Sequence, residues 1–192
     1  MAGEADELRD EVQHRLDAPC WTERARAVER LASVFCAGTL DEAERRSAED
    51  AFRTLVYDSE TLVRRVLAEC LKRAAHLPRD IAAALASDTP DIAVPMLEHS
   101  PALADDDLLR ILGLNPGPHR AAIARRQVVS EAVADTLCRC GDEDVVSALL
   151  RNGGAAVSER TLRWLICRRS DWTRVAESAA RRLAAAAEIA AA

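Results

Sequence analysis

An all-α fold, laid out as a repeating array of antiparallel helix pairs (an α-solenoid), is predicted by three features of the 192-residue chain. The stretches VLAECLKRAAHLPRDIAAAL, IAVPMLEHSPALADDDLLRIL, HRAAIARRQVVSEAVADTL and VVSALLRNGGAAVSERTLRWL read as four copies of one short helix, a turn and a second helix. Leu71, Leu97, Ile123 and Leu149 fall 26 residues apart and mark the first helix of each copy. Leu77, Leu103 and Val129 keep that interval at the turn, with Val157 28 residues later because Gly153 and Gly154 lengthen the last turn. A period between about 20 and 50 residues is the signature of stacked units that cannot bury an apolar face alone. Finally, 49% of the residues are hydrophobic but only 3% aromatic, so the core must be Ala, Leu and Val, a composition that favours helix.

Taken in order, residues 5–17 are predicted as a short amphipathic helix carrying Leu8, Val12 and Leu16, broken at Pro19 and covering the exposed end of the array. Thr22 is the expected N-cap of a helix running to about Cys36, with Val28, Leu31, Ala32 and Phe35 on its apolar side and an end near Gly38. Thr39 and Glu42 have capping-box spacing and open a helix through Ala48, Ala51, Phe52, Leu55 and Val56. Ser59 is expected to cap the next helix, in which Val63, Val66, Leu67, Cys70 and Leu71 repeat every 3.6 residues.

Pro78 starts its partner, and Thr89 with Pro90 repeats a cap-plus-proline start. Pro95 implies either a later start to that helix or a kink. Asp105, Asp106 and Asp107 sit at a helix N-terminus, where the macrodipole favours negative charge, and read as a cap rather than a metal site. Gly113 and Asn115 to Pro118 form the most irregular connection. Ser130 with Glu131, Asp142 after Gly141, and Ser158 with Glu159 supply further caps. Asp171 is expected to cap a closing Ala-rich helix with Trp172, Val175, Ala179, Leu183 and Ala186 on one side, docked over its first half and loose beyond.

The organisation expected is one domain over 1–192: a capping helix in 1–21, an irregular first repeat in 22–58, four regular repeats in 59–170 and the Ala-rich helix in 171–192. A net charge of −6 and a pI near 5.3 argue against a dedicated nucleic-acid binder but allow a local basic patch. The first twenty residues are polar and acidic, with no apolar run suited to a signal peptide or membrane span, so the expected location is the cytosol. Six cysteines, with Cys36, Cys70, Cys138 and Cys167 inside helical apolar patterns, are expected to be reduced and partly buried.

The phrases IAVPMLEHSPALADDDLL, HRAAIARRQVVSEAVADTL and CGDEDVVSALLRNGGAAVSERTL resemble the bacterial domain of unknown function family 2336, a helical family similar to HEAT repeats, from about Thr22 to Arg169. The resemblance implies a right-handed stack of antiparallel helix pairs and carries no catalytic residues with it. Relative to longer members, the short Ala-rich end is a departure.

The main surface signal is a ladder. Arg73, His99, Arg125 and Arg151 each lie two residues after the core Leu or Ile of a first helix, so stacking is expected to set them along one edge. Lys72, Arg120, Arg126 and Arg169 widen the patch. A cation row suits phosphates or an acidic partner helix; the alternative is that a basic residue in each last turn complements the dipole and covers exposed carbonyls. Cys138 and Cys140 flank Arg139 too closely to share a helix face. With only His76 or His119 as further ligands, no metal site or cofactor is expected. The four histidines, His14, His76, His99 and His119, read as polar surface, as a lone histidine in a turn does. Trp164 and Trp172 are expected to seal the C-terminal end, while an exposed Trp, Trp21 included, is the alternative anchor for a partner.

The function expected from these features is a noncatalytic protein-interaction module or scaffold presenting a groove lined by second helices. The competing classes are a nucleic-acid or polyanion binder using the ladder, and a HEAT-like enzyme such as a DNA glycosylase or bilin lyase. The last finds no convergent acid, base or aromatic group in the linear pattern.

Overall fold

The structure, a computed structural model, describes residues 20–114, 117–168 and 172–191, and among these the only regular elements are eleven helices. The chain forms two compact units, residues 1–96 with 100–103, and residues 97–99 with 104–192.

The first unit holds α1 (Trp21–Ala37), α2 (Glu42–Leu55), α3 (Thr61–Leu71) and α4 (Arg79–Ala86). α1 packs on α3, and both touch α2. Phe35 of α1 meets Phe52 of α2 edge to face at 5.3 Å between ring centres. Around that pair Val28, Ala32, Val63, Leu67 and Leu71 are buried, whereas Leu31 is only half-buried. Ion pairs link the segments: Arg24 to Asp58 at 2.8 Å, Arg53 to Asp80 at 2.7 Å and Arg64 to Asp88 at 2.7 Å. α5 (Pro90–His99) then runs through residues of both units.

The second unit continues with α6 (Asp105–Leu114), α7 (Pro118–Ala124), α8 (Glu131–Cys140), α9 (Glu143–Arg151), α10 (Glu159–Arg168) and α11 (Thr173–Ala191). Packing alternates: α7 lies on α9 and α9 on α11, while α6 lies on α8 and α8 on α10. Consecutive helices also touch, as in α6 with α7 and α10 with α11. Leu71, Leu97, Ile123 and Leu149 are all fully buried, as their shared period requires. Leu165, Val175 and Ala179 extend the buried set toward the C-terminus.

Several starts differ from expectation: at α2 a different side chain reaches the free N–H groups, and at α1 and α3 no side chain caps them. α1 begins at Trp21, with Thr22 inside it and bonded to the Cys20 thiol at 2.8 Å. The capping box is Asp41 with Glu44, not Thr39 with Glu42: the Asp41 carboxylate accepts from Ala43 and Glu44 N–H at 2.8 and 2.9 Å, and Glu44 accepts from Asp41 N–H at 2.8 Å. Glu60 rather than Ser59 precedes α3, and Asp58 accepts its N–H at 2.8 Å. α5 starts at Thr89–Pro90 and runs on through Pro95. Ser130, Asp142 and Ser158 cap where expected, and Asp107, with its neighbours at the start of α6, accepts from Ala104 N–H at 3.1 Å. Asp171 and residues 5–17 lie outside the described residues.

The turn after α9 also departs from the expected register. Ala155, 26 residues after Val129, is the buried turn residue, and Val157 is only half-buried. Val129 donates its N–H to Gly154 O at 3.1 Å and accepts from Ala156 at 2.9 Å, a single bridge that aligns the two turns. The two extra residues therefore fall after Ala155, and they delay α10 to Ser158, which Asp135 of α8 holds through its hydroxyl at 2.7 Å.

The two adjacent glycines of this turn separate clearly. A Cβ on Gly154 would lie 1.9 Å from the Gln127 carbonyl oxygen, whereas nothing lies within 4 Å of one on Gly153. Gly154→Ala is expected to cost about 1–3 kcal/mol by forcing the bridge apart, and Gly153→Ala to stay within about 0.5 kcal/mol of the wild type. Paired thermal melts giving equal midpoints for both variants would remove the bridge from the account of this turn.

Candidate functional site: a cation row at the ends of the first helices

Short helices define the problem this site solves. An α-helix leaves its last four carbonyls without intrahelical donors. In α7 and α9, seven and nine residues long, that is about half of the backbone acceptors. At three successive steps a side chain from the following pair supplies the missing donors. Arg126 donates to Leu97 O, at the end of α5. Asn152 donates to Ala124 O at 2.9 Å and Arg126 O at 2.7 Å, at the end of α7. Arg182 donates to Ala155 O and lies within 3.3–3.5 Å of Leu149, Leu150 and Asn152 O, at and just past the end of α9. Burial pulls the Arg126 guanidinium below its ordinary value, against the opposing pull of Asp105, as expected of a cation committed to the interior.

The ladder positions are the immediate neighbours of these donors, and they face outward. Arg125 is exposed and bonds Glu98 at 2.7 Å; the same carboxylate lies 3.8 Å from Nε2 of His99. Arg151 is exposed and donates to Ser147 Oγ at 2.7 Å. Arg181 belongs with them although its spacing hid it. It follows the buried Ala179 by two residues, as Arg125 follows Ile123 and Arg151 follows Leu149, it is exposed, and it donates to Ser178 Oγ at 3.1 Å. His99, Arg125, Arg151 and Arg181 therefore mark alternate helices, α5, α7, α9 and α11, the last three of which pack directly one on the next.

The other cations singled out have different settings. Arg120 sends Nη1 to Cys140 O and Nη2 to Leu112 O at 3.1 Å, tying the ends of α8 and α6 together; its Nε is buried with no hydrogen-bond partner among the described residues. It acts inside the packing, as Arg126 does. In the first unit, Lys72 pairs with Glu69 at 2.6 Å, while Arg73 is exposed with no hydrogen bond or ion pair among the described residues. Arg169 lies outside the described residues, as does His14.

His119, expected at the surface of a turn, is instead 95% buried in the first turn of α7. Cys138 is fully buried, and that burial, reinforced by Asp135, pushes its thiol up to about 12, so the proton stays on sulfur at neutral pH. Cys140 is half-buried one position past Arg139. His76 is exposed in the first unit. Trp21 is 42% exposed, and Trp164 and Trp172 are half-buried where α10 and α11 pack together.

Folded this way, the molecule is an all-α protein of short, mutually capped helices. The chain belongs to a bacterial family described as "uncharacterised protein conserved in bacteria (DUF2336)", whose profile matches residues 92–192. That span begins in α5, later than the resemblance from Thr22 implied, and takes in the Ala-rich end instead of stopping before it. No curated protein and no solved structure matches the chain. Among the described residues no helix is long and apolar enough to cross a membrane.

The division between inward and outward arginines is open to direct measurement. Arg126→Met should lower stability by about 1–3 kcal/mol, because it leaves Leu97 O without its donor. Arg125→Met removes only an exposed ion pair and should cost at most about 0.5 kcal/mol. Urea titrations that rank the two variants in the opposite order would invert the assignment.

Proposed function

We propose that the chain is a noncatalytic, HEAT-like helical-repeat scaffold that binds a protein partner along the row His99, Arg125, Arg151 and Arg181. The alternating packing of α6, α8 and α10 and of α7, α9 and α11 supports the solenoid reading within the second unit. The observation that carries the functional part is the split between neighbours. At each step one side chain is spent on the preceding helix end while the residue just before it holds its charge in solvent. A helix terminus already capped by Arg126, Asn152 or Arg182 has no further need of a second cation for its carbonyls. The outward row is thus free to meet an external acid at little conformational cost, because the helices beneath it are locked together.

A polyanion such as nucleic acid is the second reading, favoured by the same row. The two differ in their response to salt. Neutralising three or four phosphates gives a log–log salt slope of roughly −3, whereas a protein interface with an apolar core depends on salt far less steeply.

Arg125→Glu with Arg151→Glu should abolish capture of the physiological partner at an unchanged melting temperature. The check is in-cell photo-crosslinking of the full chain, followed by titration of the purified pair by calorimetry. Capture that is indifferent to the double reversal sinks the scaffold reading at this row. Capture that disappears with nuclease treatment, and a steep salt slope on mixed DNA or RNA, transfers the row to the polyanion reading.

A further inference from the structure

We infer that the occupant of the row is an acidic amphipathic α-helix laid across α7, α9 and α11, with its carboxylates seven residues apart. The inference rests on the scaffold reading above and specifies its partner. Packed helices run about 8–10 Å axis to axis, so one arginine per packed helix gives a row with a step of that size. An α-helix advances about 1.5 Å per residue, and seven residues cover about 10.5 Å. Seven residues also return to nearly the same face, drifting by only about 20°. A helix with Glu or Asp at every seventh position therefore offers one carboxylate to each of Arg125, Arg151 and Arg181.

The present partners of those arginines leave room for it. Among the described residues, Arg151 and Arg181 bond only serine hydroxyls, Ser147 and Ser178. A carboxylate makes charge-assisted bonds roughly twice as strong as neutral ones and can engage both arms of a guanidinium. Arg125 is already paired with Glu98, but more than half of its side chain is exposed, where such a pair is worth little. One turn before Arg125 and Arg151 the side chains are small and half-buried, at Ala121 and Ala148, so a rounded helix can approach closely.

Charge complementarity also disfavours a nucleic-acid strand. A strand carries a phosphate about every 3.4 Å of axis, so a row stepping at about 9 Å would meet only one in three. The rest would pass Glu98 and the exposed Glu177, both of which repel a continuous polyanion but leave a helix with spaced carboxylates undisturbed.

The test uses the full chain and two labelled synthetic helical peptides of identical composition. One has Glu at every seventh position; the other has the same Glu residues at irregular intervals. Fluorescence anisotropy should show the regular peptide binding about tenfold tighter. Arg151→Glu should erase that advantage, and Arg125→Ala with Arg181→Ala should do the same should the reversed variant fold poorly. Arg160→Glu, on the exposed side of α10, should leave it intact. Equal binding of the two peptides overturns the inference, as does an advantage that survives the row substitutions. Concentration-dependent self-association lost in Arg151→Glu likewise overturns it, in favour of a second copy of the chain. If the peptides bind equally while the crosslinked partner still requires the row, the helix assignment fails and the scaffold reading stands. If neither requires the row, both fail.

Discussion

Unpaired carbonyls at the ends of very short helices are the constraint on which the second unit depends. Where α7 is seven residues long and α9 nine, the orphan acceptors are too large a share of the backbone to be left to chance solvation. Their donors come from the next pair along: Arg126 for α5, Asn152 for α7 and Arg182 for α9. Each pair thus completes its predecessor, and the interaction is polar at the ends while Ile123, Leu149 and Ala179 supply the apolar contact between them. Arg120 does the corresponding work for the second helices by joining the ends of α6 and α8. An arginine suits these positions because its planar fork reaches several acceptors at once, as Arg182 does across four residues; the single-point ammonium of lysine does not.

This arrangement explains why two adjacent residues have such different roles. In each case the residue aimed back at the preceding helix end directly follows the one that stays in solvent: Arg126 follows Arg125, Asn152 follows Arg151 and Arg182 follows Arg181. Arg125 and Arg126 are chemically alike, yet one is exposed beside Glu98 and the other is half-buried against Leu97 O. The row of outward cations is in that sense a by-product of register, and its regular step follows from the step of the packing.

How far this was legible in the sequence follows from the same physics. The buried positions were legible because a 26-residue interval at Leu71, Leu97, Ile123 and Leu149 demands a common environment. The caps at Ser130, Asp142 and Ser158 were legible because each stands directly before an apolar run. The starts of α1, α2 and α3 were not: Asp41, two residues past Thr39, takes the N–H groups of α2, while α1 and α3 begin after Cys20 and Glu60 with no side-chain cap for a sequence pattern to reveal. No break in pattern marks the division near Leu97, because the period crosses it unchanged. Spacing also placed Arg120 and Arg126 beside the ladder without distinguishing a surface guanidinium from one turned inward onto carbonyls.

Arg181 shows the limit of spacing most clearly. Val129 and Ala155 keep the 26-residue interval, so the two turns pair through one bridge, and only then do two extra residues enter. Asp135 anchors Ser158 on the far side of the insertion, which resets the second helices without disturbing the packing of α8 against α10. By the next first helix the offset has grown to four residues: Ala179 lies 30 after Leu149 in place of 26, yet it is equally buried. Its neighbours keep their roles, Arg182 reaching back to the end of α9 and Arg181 remaining in solvent. The array thus conserves the position of each side chain against the preceding helix, not the count of residues between copies. A fourth rung that survives two changes of interval owes its place to that packing.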